Sequence, residues 1–217
     1  MSIPIDLRRR QIALTALAGA ALAASPPVQA AARVATPRQP QGPFYPLDLP
    51  LDSDNDLVRV DGRGQTAEGE ITHLFGTVRD DLGRPVADAR IEIWQCDAHG
   101  RYRHPGDAGG QPIDPNFQGF GRTVTDGQGR YRFRTIKPVP YPGRAPHIHF
   151  AIAGAGFAPL VTQMYVAGAP ENRSDFLLNR LTRPELRRML MVEFRPSEDP
   201  SAELTAQFDI VVAADGG

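Results

Sequence analysis

Short runs in which apolar and polar residues alternate, broken by Gly, Pro and Asp turns, constrain this chain more than any other feature. ITHLFGTVRD (71–80), ARIEIWQCD (89–97), GRYRFRTI (129–136) and PHIHFAIAG (146–154) carry the pattern, with DLGRP, DAHG and DGQGR as turns among them. Side chains two apart share a strand face, so Tyr131 and Phe133 point one way while Arg130, Arg132 and Arg134 point the other. One face packs and one is wet. VTQMYVAG (161–168) extends the series, and AQFDIVVAA (206–214) reads as a single closing strand. The one helix signal comes late: Thr182 with Glu185 three residues on forms a capping box, Pro184 falls in the first turn, and LRRML continues the run. There is no internal repeat and no βαβ periodicity. The expected fold is therefore all-β, a two-sheet β-sandwich with long loops, an extended N-terminal arm and one short late helix.

The 217 residues suffice for one buried core. The first 30 stand apart from it, because Arg8, Arg9 and Arg10 precede an apolar run over residues 12–24 and then the small-residue stretch SPPVQA. That is the form of an export signal, with RRRQIA resembling the twin-arginine type, and cleavage is expected after Ala30. The run is too short and alanine-rich for a membrane span, so no stable membrane insertion is expected after cleavage and the destination is periplasmic or secreted. Losing this segment removes three arginines and one aspartate, moving the formal charge from -1 to -3. Neither value points to nucleic acid or to an anionic membrane surface. Residues 31–70, rich in Pro, Gly, Asp and Arg around GPFYPLDLP (42–50), read as an arm laid on the body, which occupies 71–217. With Cys96 the single cysteine, no internal disulfide exists. Beside Trp94, that thiol reads as a small buried hydrophobe.

His147 and His149 stand two apart in PHIHF, so on a strand both imidazoles face one way while Ile148 and Phe150 pack on the other side. An HxH alone is a weak metal signal. The neighbours strengthen it: Tyr141 before Pro142, Arg144 three residues ahead of His147, and Tyr102 in the loop that follows the Trp94 strand. His73, His99 and His104 lack ligand spacing and read as surface or supporting residues. Tyr131 and Tyr165 read as packing tyrosines with satisfied hydroxyls. Tyr45 is placed over the cavity mouth through the arm.

WQCDAHGRYRH (94–104), DGQGRYRFRTIKPVPYPGRAPHIHF (126–150) and TQMYVAG (162–168) resemble the intradiol ring-cleavage dioxygenases, most of all the protocatechuate 3,4-dioxygenase β-chain branch, and the likeness runs over about residues 40–212. GPFYP is similar to the family's arm that closes over the active site. The resemblance implies Fe(3+) held by Tyr102, Tyr141, His147 and His149, with Tyr141 the ligand that departs when substrate arrives. It implies further that Arg144 and Gln163 line the substrate cavity and offer hydrogen bonds to developing charge, and that Trp94 packs behind the ligands. Two phenolates and two neutral imidazoles suit a hard, oxidised metal. The implied reaction opens a small aromatic diol with O2, between its hydroxyl-bearing carbons, to a cis,cis-muconate-type diacid. Gly143 stands where the protocatechuate enzymes carry tryptophan, and the connection from Tyr141 to Arg144 is shorter than theirs, which bears on the identity of the diol. The alternatives are a catechol or hydroxyquinol 1,2-dioxygenase and a non-catalytic exported metal- or ligand-binding β-sandwich. A homo-oligomer or a related partner chain is compatible with the family.

Overall fold

The computed structural model describes residues 33–50 and 52–215; the expected export signal (1–30) lies outside the described residues. The alternating runs become strands in the expected places, β1 (Ile71–Asp80), β2 (Arg90–Trp94), β4 (Arg130–Ile136), β5 (His147–Ala153) and β6 (Leu160–Val166), while β3 (Phe120–Val124) forms where no alternating run had marked one. After two 3-10 turns, Pro170–Arg173 and Leu178–Arg180, come α1 (Pro184–Met189), β7 (Met191–Val192), β8 (Phe194–Pro196), β9 (Leu204–Gln207) and β10 (Ile210–Val212).

Two five-stranded sheets result. In the first, the long β1 pairs antiparallel with β4 on one side and parallel with β9 and β10 on the other, while β8 runs antiparallel to β9. The second has the order β3-β2-β5-β6-β7, antiparallel except for the last pair. Leu74, Val78, Ile91, Ile93, Phe133, Ile148, Phe150, Ile152 and Phe208 are buried in the main core. Cutting one of these aliphatic side chains to alanine costs about 2–5 kcal/mol. On β4 the alternation holds as expected, with Tyr131 and Phe133 buried and Arg130 and Arg132 exposed.

Two local expectations are corrected. The capping box does not form: the N-cap of α1 is Arg183, no side chain caps the helix, and Glu185 instead accepts a bond from Arg183 Nε at 2.6 Å. Pro184 at the first helical position, which needs no N–H partner there, is what remains of the start signal. The closing strand is split, because Phe208 turns its side chain into the core and its carbonyl to the Tyr131 hydroxyl, leaving β9 and β10 as separate short partners of β1.

Among the described residues, 33–70 contribute no strand beyond an isolated bridge from Asp56 to Arg134. The arm is nonetheless tied down. Thr36 N–H donates to Val211 of β10 and Gln39 N–H to Val161 of β6, both at 2.9 Å, so it passes from one sheet to the other. A second apolar cluster of Trp94, Cys96, Tyr102 and Phe120, joined by the arm's Phe44 and Tyr45 and by Tyr141, covers this region. Consequently β5 is buried on both faces: Ile148 and Phe150 toward the other sheet, His147 and His149 toward the loops and arm. No helix among the described residues is long and apolar enough to cross a membrane.

Candidate metal centre

The histidines are placed by strand register. His149 lies between Trp94 of β2 and Gln163 of β6, and His147 opposite Tyr165 of β6. Trp94 stacks on His149 at 4.8 Å with planes 7° apart, which leaves that imidazole little rotational freedom. His147 Nδ1 lies 2.6 Å from the Ala145 carbonyl and so carries its proton there, leaving the Nε2 lone pair 3.2 Å from His149 Nε2. Burial, and then the charge of Arg144, pushes His147 down to about 3. Burial, and then His147 and Arg144, also holds His149 well below its ordinary value. Both rings are therefore neutral.

The tyrosines come from loops that need more support. The loop from β2 to β3 folds on Asp97, whose Oδ1 accepts the N–H groups of His99 and Arg101 and whose Oδ2 accepts that of Asp114. Asp107 takes the Tyr102 N–H at 2.6 Å and Arg101 Nε at 3.0 Å, clamping the backbone at the tyrosine. Tyr141 opens a type II turn in which Pro142 and Gly143 are central, Gly143 has φ +82°, and Arg144 N–H returns to the Tyr141 carbonyl at 2.9 Å. Gly100, whose φ of +75° favours glycine, lies where the two loops meet, within van der Waals reach of Tyr141.

These pieces converge. The Tyr102 and Tyr141 rings meet edge-on at 5.6 Å, Tyr141 is 5.4 Å from His147, and Tyr102 is 6.4 Å from His149. Among the described residues, nothing hydrogen-bonds the buried Tyr102 hydroxyl or His149 Nδ1. Burial raises both tyrosines, and the Arg144 charge acts on each in the opposite direction. Such a set is poorly satisfied by itself and fits a hard trivalent cation that accepts phenolates and neutral imidazoles. His147 also has the carbonyl partner that metal-binding histidines commonly use. Among the described residues there is no metal-holding group of three or more His, Cys, Asp or Glu side chains, so the tyrosines are indispensable to any such site.

Arg144 and Gln163 lie beside Tyr141 and the histidine pair, and sequence reasoning missed what holds them. Arg144 Nε donates to Asp175 at 2.8 Å, Nη2 to Gln163 Oε1 at 2.6 Å and to Tyr165 Oη at 3.3 Å, and Nη1 faces Tyr141 Oη at 3.4 Å. Gln163 gives its amide N–H to the Pro40 carbonyl of the arm, at 2.8 Å. Gln163 thus braces Arg144, with its carbonyl oxygen already committed. Tyr165, read from sequence as packing, belongs to this polar group, where its hydroxyl also meets Gln39 of the arm at 3.3 Å. Its position two residues from Gln163 on the same strand face was the available signal. Asp175 and Gln39 gave none.

The arm delivers Phe44, not Tyr45, to the tyrosines: Phe44 stacks on Tyr102 at 4.6 Å. Tyr45 packs edge-on against Trp94 and bonds Glu92 at 2.9 Å, and burial with that carboxylate lifts its phenol to about 12. Gly42 lies over His149, where a Cβ would be 3.2 Å from the ring. Cys96 is buried in the cluster with Trp94, and burial pushes its thiol up to about 12. His73 pairs with Ser201 and Asp199, His99 with Glu68 and the Pro112 carbonyl, and neither joins the centre.

A family profile described as Dioxygenase matches residues 41–214. The protocatechuate 3,4-dioxygenase beta chain of Burkholderia cepacia is 39% identical over 186 residues, covering 81% of this chain and 78% of that protein. The hydroxyquinol 1,2-dioxygenase of Corynebacterium glutamicum is 34% identical over 149 residues, 60% of this chain, and the match spans 46% of its length. Among solved structures, the dioxygenase domain of a dioxygenase carbohydrate-binding protein fusion from Streptomyces sp. SirexAA-E superposes with a TM-score of 0.64 at 28% identity, covering 84% of this chain and all of that one. This chain belongs to the intradiol ring-cleavage dioxygenases, enzymes that act on aromatic diols.

Proposed function

We propose that Tyr102, Tyr141, His147 and His149 bind ferric iron, and that the enzyme uses O2 to open a protocatechuate-like ring between its hydroxyl-bearing carbons, giving a cis,cis-muconate-type diacid. The observation that carries this reading is the convergence of two neutral Nε2 atoms, 3.2 Å apart, with two tyrosines in a buried cluster where the Tyr102 hydroxyl has no hydrogen-bond partner among the described residues. Iron bound there would supply the Lewis acidity that makes a diolate ring carbon susceptible to O2.

The protein's own groups have distinct tasks. His147 and His149 stay neutral and fixed, one by the Ala145 carbonyl and the other by the Trp94 stack. Burial holds Tyr141 above its ordinary range, so its Oη would hold a proton taken from a diol hydroxyl. Arg144 Nη1, beside that oxygen, stabilises negative charge on it and on an incoming diolate. Phe44 and Gly42 keep water from the Tyr102 and His149 side.

The preference for a protocatechuate-like diol rests on the longer and stronger match to the protocatechuate relative. Export rests on residues 1–30, whose arginines and apolar run have the twin-arginine form. Oxygen uptake with product identification tests the function. Iron-loaded protein should consume protocatechuate with ring opening between the hydroxyls. Turnover of catechol or hydroxyquinol alone would reassign the substrate, and no turnover of any diol would reject the reading. Replacing Arg8, Arg9 and Arg10 with lysine should trap the protein in the cytoplasm, and unimpaired export would exclude the twin-arginine route.

A further inference from the structure

We propose that Asp175 is a positioning residue for this reaction, fixing Arg144 so that its Nη1 faces Tyr141. The inference rests on the iron dioxygenase reading above. Asp175 stands 31 residues from Arg144, in the connection between the two 3-10 turns, and is 1% exposed. Each carboxylate oxygen has a separate job. Oδ1 accepts the N–H groups of Leu177 and Leu178 at 3.0 and 2.9 Å and so builds the turn that carries it. Oδ2 accepts Arg144 Nε at 2.8 Å and the Ala145 N–H at 2.9 Å.

The geometry of the guanidinium turns this contact into an orientation. Its planar fork has a fixed set of donors, so committing Nε to Asp175 and Nη2 to Gln163 and Tyr165 leaves Nη1 as the donor directed at Tyr141 Oη. Asp175 also supplies the charge that balances a guanidinium only 8% exposed beside two neutral imidazoles. Its bond to the Ala145 N–H reaches the other side of the same residue whose carbonyl holds His147. A single carboxylate thereby steadies the segment from Arg144 to His147.

The test uses Asp175→Ser, which keeps an oxygen for the turn while removing the carboxylate from Arg144, alongside the isosteric Asp175→Asn, Arg144→Lys, and the double variant Asp175→Ser with Arg144→Lys. All are made in the full iron-loaded protein. Asp175→Ser should melt below the wild type, since a buried guanidinium loses its counter-charge, yet fold and keep its resting visible spectrum, and lose roughly 10- to 100-fold in kcat with KM changed less than about threefold, the scale expected when a reacting group is misplaced by about an ångström. The double variant should be no slower than Arg144→Lys alone. A crystal structure of Asp175→Ser should show the guanidinium turned away from Tyr141. Wild-type kcat in both Asp175 variants, multiplying losses in the double variant, an effect confined to KM, or recovery of both single variants only in unfolded form would each overturn the proposal. If the wild type cleaves no diol, the dioxygenase reading has failed, and the orientation of Arg144 in the crystal structure still decides whether Asp175 positions it.

Discussion

The centre has a strand side and a loop side, and they are built by different means. His147, His149, Gln163 and Tyr165 are placed by β5 and β6, where alternation and register alone send the side chains to one face in facing pairs. Tyr102 and Tyr141 come from irregular segments, held by Asp97, Asp107 and a Pro-Gly turn, each a local device with its own hydrogen bonds. The strand side is therefore a consequence of the fold. The loop side is an addition to it, and can be displaced while the sheets remain intact.

Substitutions on the two sides should separate accordingly. The largest effect is expected from His149→Ala, which removes a donor outright: iron affinity should fall more than about 100-fold, since losing even a supporting partner of a ligand costs 10- to 100-fold. Metal analysis after dialysis checks this, and the apo-protein should keep its circular dichroism. Next comes Asp107→Ala, which frees the Tyr102 backbone N–H and Arg101 together and should cost about 1–3 kcal/mol in denaturant unfolding. If the loop side is separable, activity should fall in Asp107→Ala well before the protein unfolds. Gly143→Ala should cost about 1–2 kcal/mol, because a Cβ at φ +82° is strained although nothing lies within 4 Å of it. Equal stability in that variant would mean the turn relaxes freely. Smallest near neutral pH, and growing only on acidification, is the pH effect. In apo-protein the strand-side histidines have folded values below the unfolded value of about 6.5, so their stabilisation is complete above that pH. It is then lost as pH falls from about 6.5 toward 3, by at most about 1.4 kcal/mol per unit for each histidine. A melting curve flat over this window would contradict the neutral burial of both rings.

The same division governs what could be read from the sequence. Period-two patterning located β1, β2, β4, β5 and β6 but not β3, and put His147 and His149 on one face, because side-chain direction on a strand depends on sequence position alone. Tyr102 and Tyr141 carry no such periodicity; their sequence neighbourhood drew attention to them, and only the resemblance made them ligands. Tyr165 stood two residues from Gln163 and was legible by the same rule, but a lone tyrosine reads as packing until its strand partner, His147, is known. Asp175 and Gln39 meet the site through contacts 31 and 126 residues distant in sequence, with no pattern to mark them. The arm's GPFYP was recognised as a cover, yet whether Phe44 or Tyr45 turned inward depended on Glu92, which takes the Tyr45 hydroxyl on the outer side. The helix start failed for a similar local reason, since Arg183 engages Glu185 and the capping pair never meets.

The central claim is that two tyrosines from the loop side and two histidines from the strand side share one ferric ion. The most direct test is the visible absorption spectrum of the iron-loaded protein, recorded at rest and after anaerobic addition of protocatechuate and then of catechol, beside the Tyr102→Phe and Tyr141→Phe variants. The account predicts a broad tyrosinate-to-iron band that weakens in each variant and shifts when the productive diol binds. Stoichiometric iron with no such band, or a band unchanged in both variants, would contradict it.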